Sequence, residues 1–227
     1  MTTTPAPKDL ARFLDHTLLS PAATRAQIER LCAEARAHGF HSVCVHGGRV
    51  ALAKHLLEGS QVQVASVVGF PLGAMDRDAK RYETEAAVDC GADEIDMVMD
   101  LGAFKDGDHK AVVRDIRDVA EAADDRIVKV ILETCLLTEP EIVTACLLAV
   151  EAQAHFVKTS TGFGKAGATV AHVRLMRQTV ADHAGVKASG GIRDEAAARA
   201  MIAAGATRLG TSASVAIVGG APSEGAY

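Results

Sequence analysis

The chain has no tryptophan and only two tyrosines among its 227 residues, so it lacks the aromatic platforms on which nucleic-acid bases stack. Basic residues are not clustered and the formal net charge is -5, which removes the electrostatic footprint of a nucleic-acid binder. No apolar run approaches the length of a membrane span. The polar stretch 1–9, with two prolines, lacks the apolar centre of a signal peptide. The five cysteines, Cys32, Cys44, Cys90, Cys135 and Cys146, are scattered and contain no C-x-x-C pair. An odd, dispersed set argues against a disulfide framework or structural zinc, and for a reducing, cytoplasmic setting. The nine histidines show no metal-ligand spacing either. Any anionic ligand has to be held locally.

What is present is an ordinary globular balance, 48% hydrophobic and 23% charged, in which short β-branched runs alternate with helical patterns. Strands are expected over 13–18, 42–46, 62–68, 94–99, 127–133, 155–160, 186–189 and 208–211. Helices are expected over 24–38, 77–90, 110–123, 139–152, 168–181 and 194–204, several stopping at a glycine such as Gly39, Gly91, Gly185 or Gly205. Eight βα units without a linker fit one compact (β/α)8 TIM barrel of parallel strands, and the same alternation also fits an open doubly wound sheet. The reading takes 1–218 as one domain with a short N-terminal helical extension, and 219–227 as a flexible Gly/Ala/Pro/Ser-rich tail.

Two lysines stand inside apolar segments, Lys158 in Phe156-Val157-Lys158-Thr159-Ser160 and Lys187 in Val186-Lys187-Ala188-Ser189. Desolvation favours the uncharged, nucleophilic amine, and a neighbouring cation does the same, so this pairing suggests a Schiff-base lysine. Strand alternation sharpens the set. If Ile95, Met97 and Met99 face the helices, then Asp96 and Val98 face inward, and likewise Lys129, Ile131 and Glu133 on the next strand. Spacings of about one βα unit from Asp15 to Cys44, from Asp96 to Lys129 and from Lys129 to Lys158 place these side chains near one interior level. Lys129 reads equally well as a structural ion-pair partner of Asp15 or Glu133. Cys44 reads as a small apolar filler, and His16 and His46 as satisfied core groups.

The turns Ser189-Gly190-Gly191-Ile192-Arg193-Asp194 and Leu209-Gly210-Thr211-Ser212-Ala213 follow the seventh and eighth strands, where backbone amides and a helix start suit a phosphate. Thr161-Gly162-Phe163-Gly164, after the sixth strand, supplies a further wall.

Leu14-Asp15-His16-Thr17, Ser42-Val43-Cys44-Val45, Glu94-Ile95-Asp96-Met97-Val98, Phe156-Val157-Lys158-Thr159-Ser160-Thr161-Gly162 and Lys187-Ala188-Ser189-Gly190-Gly191-Ile192-Arg193 occur in order along the chain. This series, spanning about 13–218, resembles the deoxyribose-phosphate aldolase family in its shorter bacterial form. The resemblance implies a TIM barrel and reversible aldol cleavage of 2-deoxy-D-ribose 5-phosphate to D-glyceraldehyde 3-phosphate and acetaldehyde, with no metal or organic cofactor. It implies Lys158 as Schiff-base lysine, Asp96 and Lys187 as proton-transfer residues, and a phosphate site at Gly162, Gly190, Gly191, Gly210 and Ser212. Asp15, Lys129 and Cys44 are expected in support. Asp100 departs from the asparagine common in such sequences. A homodimer is a fair expectation, with small phosphosugars and aldehydes as the only other partners and neither nucleic acid nor membrane. Tyr227 is either a frayed end or a residue that swings over the mouth to shuttle the enamine α-proton. Two rivals use the same barrel: a phosphosugar isomerase working by non-covalent acid/base chemistry, and a noncatalytic phosphosugar-binding protein.

Overall fold

The computed structural model describes residues 10–219. A 3-10 turn, Ala11–Phe13, leads into eight parallel strands that close in chain order: β1 (Leu14–Thr17), β2 (Ser42–His46), β3 (Gln63–Val68), β4 (Glu94–Val98), β5 (Ile127–Ile131), β6 (Phe156–Lys158), β7 (Gly185–Ser189) and β8 (Arg208–Thr211). The helices around them are α1 (Arg25–His38), α2 (Val50–Leu56), α3 (Arg77–Asp89), α4 (Leu101–Lys105), α5 (His109–Ala122), α6 (Glu139–Glu151), α7 (Val170–Val180), α8 (Glu195–Ala203) and α9 (Ser214–Gly219). The expected (β/α)8 barrel is therefore the fold, and the open sheet is not. Gly219, assigned from sequence to the tail, ends α9. The N-terminal extension over 1–9 and the tail beyond 219, Tyr227 included, lie outside the described residues.

Local sequence explains where the helices start. Thr24 and Gln27 form a reciprocal capping box at α1, as Thr138 and Glu141 do at α6. Helix α1 then buries Ile28, Leu31, Cys32 and Ala35, the spacing of a single helical face, and ends at Gly39 with φ 65°. Asp100 caps α4 by accepting a hydrogen bond from the Ala103 amide at 3.0 Å, so the departure noted in the sequence keeps a capping side chain in place.

Alternation along the strands divides the molecule into two compartments. Ile95, Met97 and Met99 join the large apolar layer between strands and helices, whereas Cys44, Ala65 and Val67 pack with Leu19 in a small cluster inside the barrel. The pairing registers order the interior into layers drawn from alternate strands. Ser42, Glu94, Phe156 and Arg208 form the lowest; Asp15, Ala65, Lys129 and Lys187 lie above them; Cys44, Asp96, Lys158 and Gly210 come next. The single level expected from residue spacing is thus two levels, because tilted strands climb as the sheet closes. Asp15 and Cys44 are a layer apart, and so are Lys129 and Lys158.

Two expectations at element ends are corrected. Gly185 does not cap α7, which ends at Ala181 with φ 45°; it opens β7, where the Phe156 ring occupies the space a Cβ would need. Glu133 lies beyond β5, not within it, in the left-handed region at φ 51°, and its carboxylate accepts from Thr161 in the loop after β6. Gly185→Ala would bring a Cβ to 2.2 Å from Phe156 Cε1. This substitution is expected to cost about 1–3 kcal/mol of stability by overpacking, read as a lowered denaturation midpoint in urea.

Candidate active site

Each inward position places a charged side chain where water is scarce. Asp96, wholly buried on β4, accepts from Lys129 Nζ at 2.7 Å through one oxygen, and through the other from Lys158 Nζ at 2.7 Å and Lys187 Nζ at 2.8 Å. Lys187 also donates to Asp15 Oδ2. Lys129 reaches Glu94 Oε2 at 2.6 Å, so its partners are Glu94 and Asp96 rather than the Asp15 or Glu133 expected from sequence. Arg208, at the start of β8, completes the lower layers by donating to Asp15 Oδ1 and Glu94 Oε2, both at 3.0 Å, while its guanidinium lies over the Phe156 ring.

Electrostatics separates the lysines. Burial pushes the Lys158 amine below its ordinary pKa, and the Lys187 ammonium adds to that, against the opposing pull of Asp96. For Lys187, burial also disfavours charge, but Asp15 and Asp96 outweigh it and hold the group above its ordinary value. Lys129 is raised in the same way, burial being outweighed by Asp96 and Glu94. Burial alone would raise Asp96; Lys129, Lys158 and Lys187 together drive it well below the usual carboxylate range. Adjacent lysines on β6 and β7 therefore end with opposite tendencies, one toward free amine and one toward ammonium.

Above this cluster the mouth of the barrel forms a cavity with Lys158 in its floor. Gly162 and Phe163 make one wall, Gly190, Gly191 and Arg193 a second, and Gly210, Thr211 and Ser212 a third. All five glycine and serine positions expected to hold phosphate line this cavity. Gly162, Gly190 and Gly191 have φ of 87°, 84° and 79°, backbone that side chains beyond hydrogen rarely adopt. Gly210 matters for space instead, since a Cβ there would sit 3.0 Å from Lys187 Cε. The turn after β7 opens into α8, which starts at Glu195 and whose cap Asp194 accepts from the Ala197 amide at 2.8 Å. The Asp194 carboxylate thus takes one amide at the helix start where a phosphate is expected.

Hydrogen bonds that hold the mouth in place have no signature in the sequence. Thr159 and Ser189 tie β6 to β7, the Thr159 hydroxyl donating to the Ser189 carbonyl at 3.1 Å and accepting from its amide at 3.0 Å. The buried Glu133 carboxylate accepts from the Thr161 amide at 3.2 Å and from its hydroxyl, which anchors the loop carrying Gly162. Glu94 is legible in principle, lying two residues before the inward Asp96; Arg208 becomes legible only when the same alternation is extended to the eighth strand. Cys44 is wholly buried beside Leu19, Ala65 and Val67, as a filler would be, and burial raises its thiol pKa. His46 Nε2 lies 3.0 Å from the Leu19 carbonyl, whereas His16, outside the barrel, pairs with Glu34 at 2.8 Å. Among the described residues, no group of three or more His, Cys, Asp or Glu is arranged to hold a metal ion, and no helix is long and apolar enough to cross a membrane.

Glu94 gives a pH test of the buried network. Burial opposes its charge, yet Lys129, His41 and Arg208 outweigh it and bring the carboxyl from an ordinary 4.5 to about 2. A depressed folded-state value contributes stability that is fully present above 4.5 and lost as pH falls toward 2. Urea denaturation across that window should show a falling midpoint, with a shallower fall in Glu94→Gln.

Similarity to known proteins follows the same residues. A family model described as DeoC/LacD family aldolase matches 10–219. The deoxyribose-phosphate aldolase of Alkaliphilus oremlandii is 55% identical over 211 residues, covering 92% of this chain and 95% of the relative. That of Exiguobacterium sibiricum is 56% identical over 220 residues, covering 96% and 100%. Among solved structures, the tetrameric deoxyribose phosphate aldolase from Aeropyrum pernix superposes with a TM-score of 0.89 at 34% identity, over 94% of this chain and 91% of that one. By sequence along its whole described length and by the shape of its barrel, the chain belongs to the DeoC/LacD family of aldolases.

Proposed function

We infer that this chain acts as a deoxyribose-phosphate aldolase, reversibly cleaving 2-deoxy-D-ribose 5-phosphate into D-glyceraldehyde 3-phosphate and acetaldehyde through a Schiff base on Lys158. The observation that carries this reading is the position of Lys158: a buried amine disposed to be neutral, in the floor of a cavity walled by glycine-rich turns. Family membership supports the reaction class.

In the cleavage direction, the Lys158 nitrogen adds to the C1 carbonyl of the open-chain sugar, and loss of water from the carbinolamine gives an iminium. As the C3 hydroxyl loses its proton, the C2–C3 bond breaks and its electron pair flows into the iminium, leaving an enamine and releasing the phosphorylated aldehyde. Protonation of the enamine at C2 and hydrolysis return acetaldehyde and free Lys158. Asp96 and Lys187, one hydrogen bond from the nucleophile or from each other, serve as the proton-transfer pair. Asp15 and Lys129 hold that pair in place, and Cys44 fills the wall beside it. Gly162, Gly190, Gly191, Gly210 and Ser212 seat the 5-phosphate, a placement supported by their shared cavity with Lys158. Cytoplasmic location belongs to the same reading, as does self-association to a homodimer.

Borohydride reduction in the presence of acetaldehyde should add a two-carbon label at Lys158, located by peptide mass mapping, and Lys158→Ala should lose turnover by at least about a thousandfold. A label at Lys187 or Lys129 would overturn the assignment; no label despite turnover would favour the isomerase alternative. Gly190→Ala should raise KM for the phosphorylated sugar by about tenfold or more and leave kcat/KM for unphosphorylated 2-deoxyribose nearly unchanged, in steady-state assays of both.

A further inference from the structure

Within the described barrel interior, four cationic side chains, Lys129, Lys158, Lys187 and Arg208, face three carboxylates, Asp15, Glu94 and Asp96. All seven are buried. Fully ionised, the set carries one positive charge too many. An unmatched charge in a water-poor interior is relieved most readily when one cation gives up its proton. Arginine cannot do so in a protein. Lys129 is held by Asp96 and Glu94, and Lys187 by Asp15 and Asp96, whereas Lys158 has Asp96 alone and shares it with both other lysines. Geometry alone thus selects Lys158 as the group that sheds the surplus.

The surplus exists because of Arg208. Its guanidinium takes one oxygen of Asp15 and reaches Glu94, leaving neither carboxylate in excess over the lysines above. The groups packed around it are Asp15 on β1, Glu94 on β4, the Phe156 ring on β6 and the neighbouring Lys187 on β7. At the lower face, His41 lies 3.3 Å from Glu94 Oε1 and is part-exposed. At the upper end, the Glu133 carboxylate is engaged with Thr161, and the Cys44 thiol is pushed up by burial and stays neutral. We propose that Arg208, two layers below Lys158, is a positioning residue for the nucleophile: by occupying Asp15 and Glu94 it keeps the interior one cation in surplus, and that surplus leaves Lys158 as the free amine. The functional weight of this proposal rests on the Schiff-base reading above, while the charge count does not.

The test reads Lys158 protonation directly. In protein labelled with carbon-13 at the lysine ε-carbon, the Lys158 resonance, assigned by its loss in Lys158→Arg, is titrated by NMR. Arg208→Met removes the surplus, and the Lys158 midpoint should rise by about one pH unit, with kcat/KM below the midpoint falling about tenfold. Arg208→Lys retains the charge and should titrate as the parent does. Glu94→Gln enlarges the surplus and should lower the midpoint. The double variant Glu94→Gln/Arg208→Met removes one charge of each sign and should return it to the parent value. Should Arg208→Met fail to fold, the rise from Glu94→Gln to the double variant makes the same measurement. An Arg208→Met midpoint equal to the parent's, or a double variant no higher than Glu94→Gln, overturns the proposal. Borohydride trapping with acetaldehyde is run alongside: absence of a Lys158 label with the midpoints moving as stated removes the aldolase reading and leaves the charge mechanism standing.

Discussion

The Asp96 carboxylate is the interaction on which the rest of the interior depends. It is wholly buried and receives three lysine amines on two oxygens, which fixes β4, β5, β6 and β7 to one another through their inward faces. Buried ion pairs of this kind contribute little net stability, because the cost of removing charges from water consumes most of the attraction. Removing one partner is different, since it leaves an ion without compensation. The cluster therefore specifies an arrangement more than it stabilises the fold. It holds the Lys158 amine at 2.7 Å from Asp96, at the last residue of its strand and under an open cavity.

Around this centre the labour is divided by layer. The lower layers carry ions fixed by their mutual contacts, and the upper rim carries backbone in conformations open mainly to glycine. Side chains outside the Asp96 cluster hold the rim steady: Thr159 with Ser189 across β6 and β7, and Glu133 with Thr161 on the following loop. A rigid scaffold with a preorganised rim keeps polar groups aimed at a reacting centre without reorganisation during the reaction.

Most of the architecture was legible in sequence because period and punctuation agree. The boundaries of β2 and β8 coincide with the expected ones, and alternation separated Asp96 from Ile95 and Met97 correctly. Vertical position was not legible, since the climb of tilted strands around a closed sheet has no local signature; Asp15 and Cys44 were consequently placed level. Gly185 was misread because a glycine after a helical run resembles a cap, whereas here it makes room for the ring of Phe156 on another strand. Buried lysine by itself also proved an incomplete signal. Lys80 on α3 is as buried as Lys187, yet it lies outside the barrel and meets a single carboxylate, Asp115, at 2.6 Å. What distinguishes the interior lysines is that they compete for carboxylates, and that competition appears only once the barrel closes.

The lower end of the barrel is stoppered, with the Phe156 ring filling the room left by Gly185 and the Arg208 guanidinium lying over it. A cavity entered past its rim imposes a queue. If the reacting carbon sits on the floor at Lys158 and the phosphate rests at the rim, then in the synthetic direction the two-carbon partner has to descend first, because the longer aldehyde fills the mouth above it. In the reverse sense the phosphorylated fragment has to depart before the shorter one can leave. Order of entry and exit is then a property of the plugged base as much as of the chemistry above it.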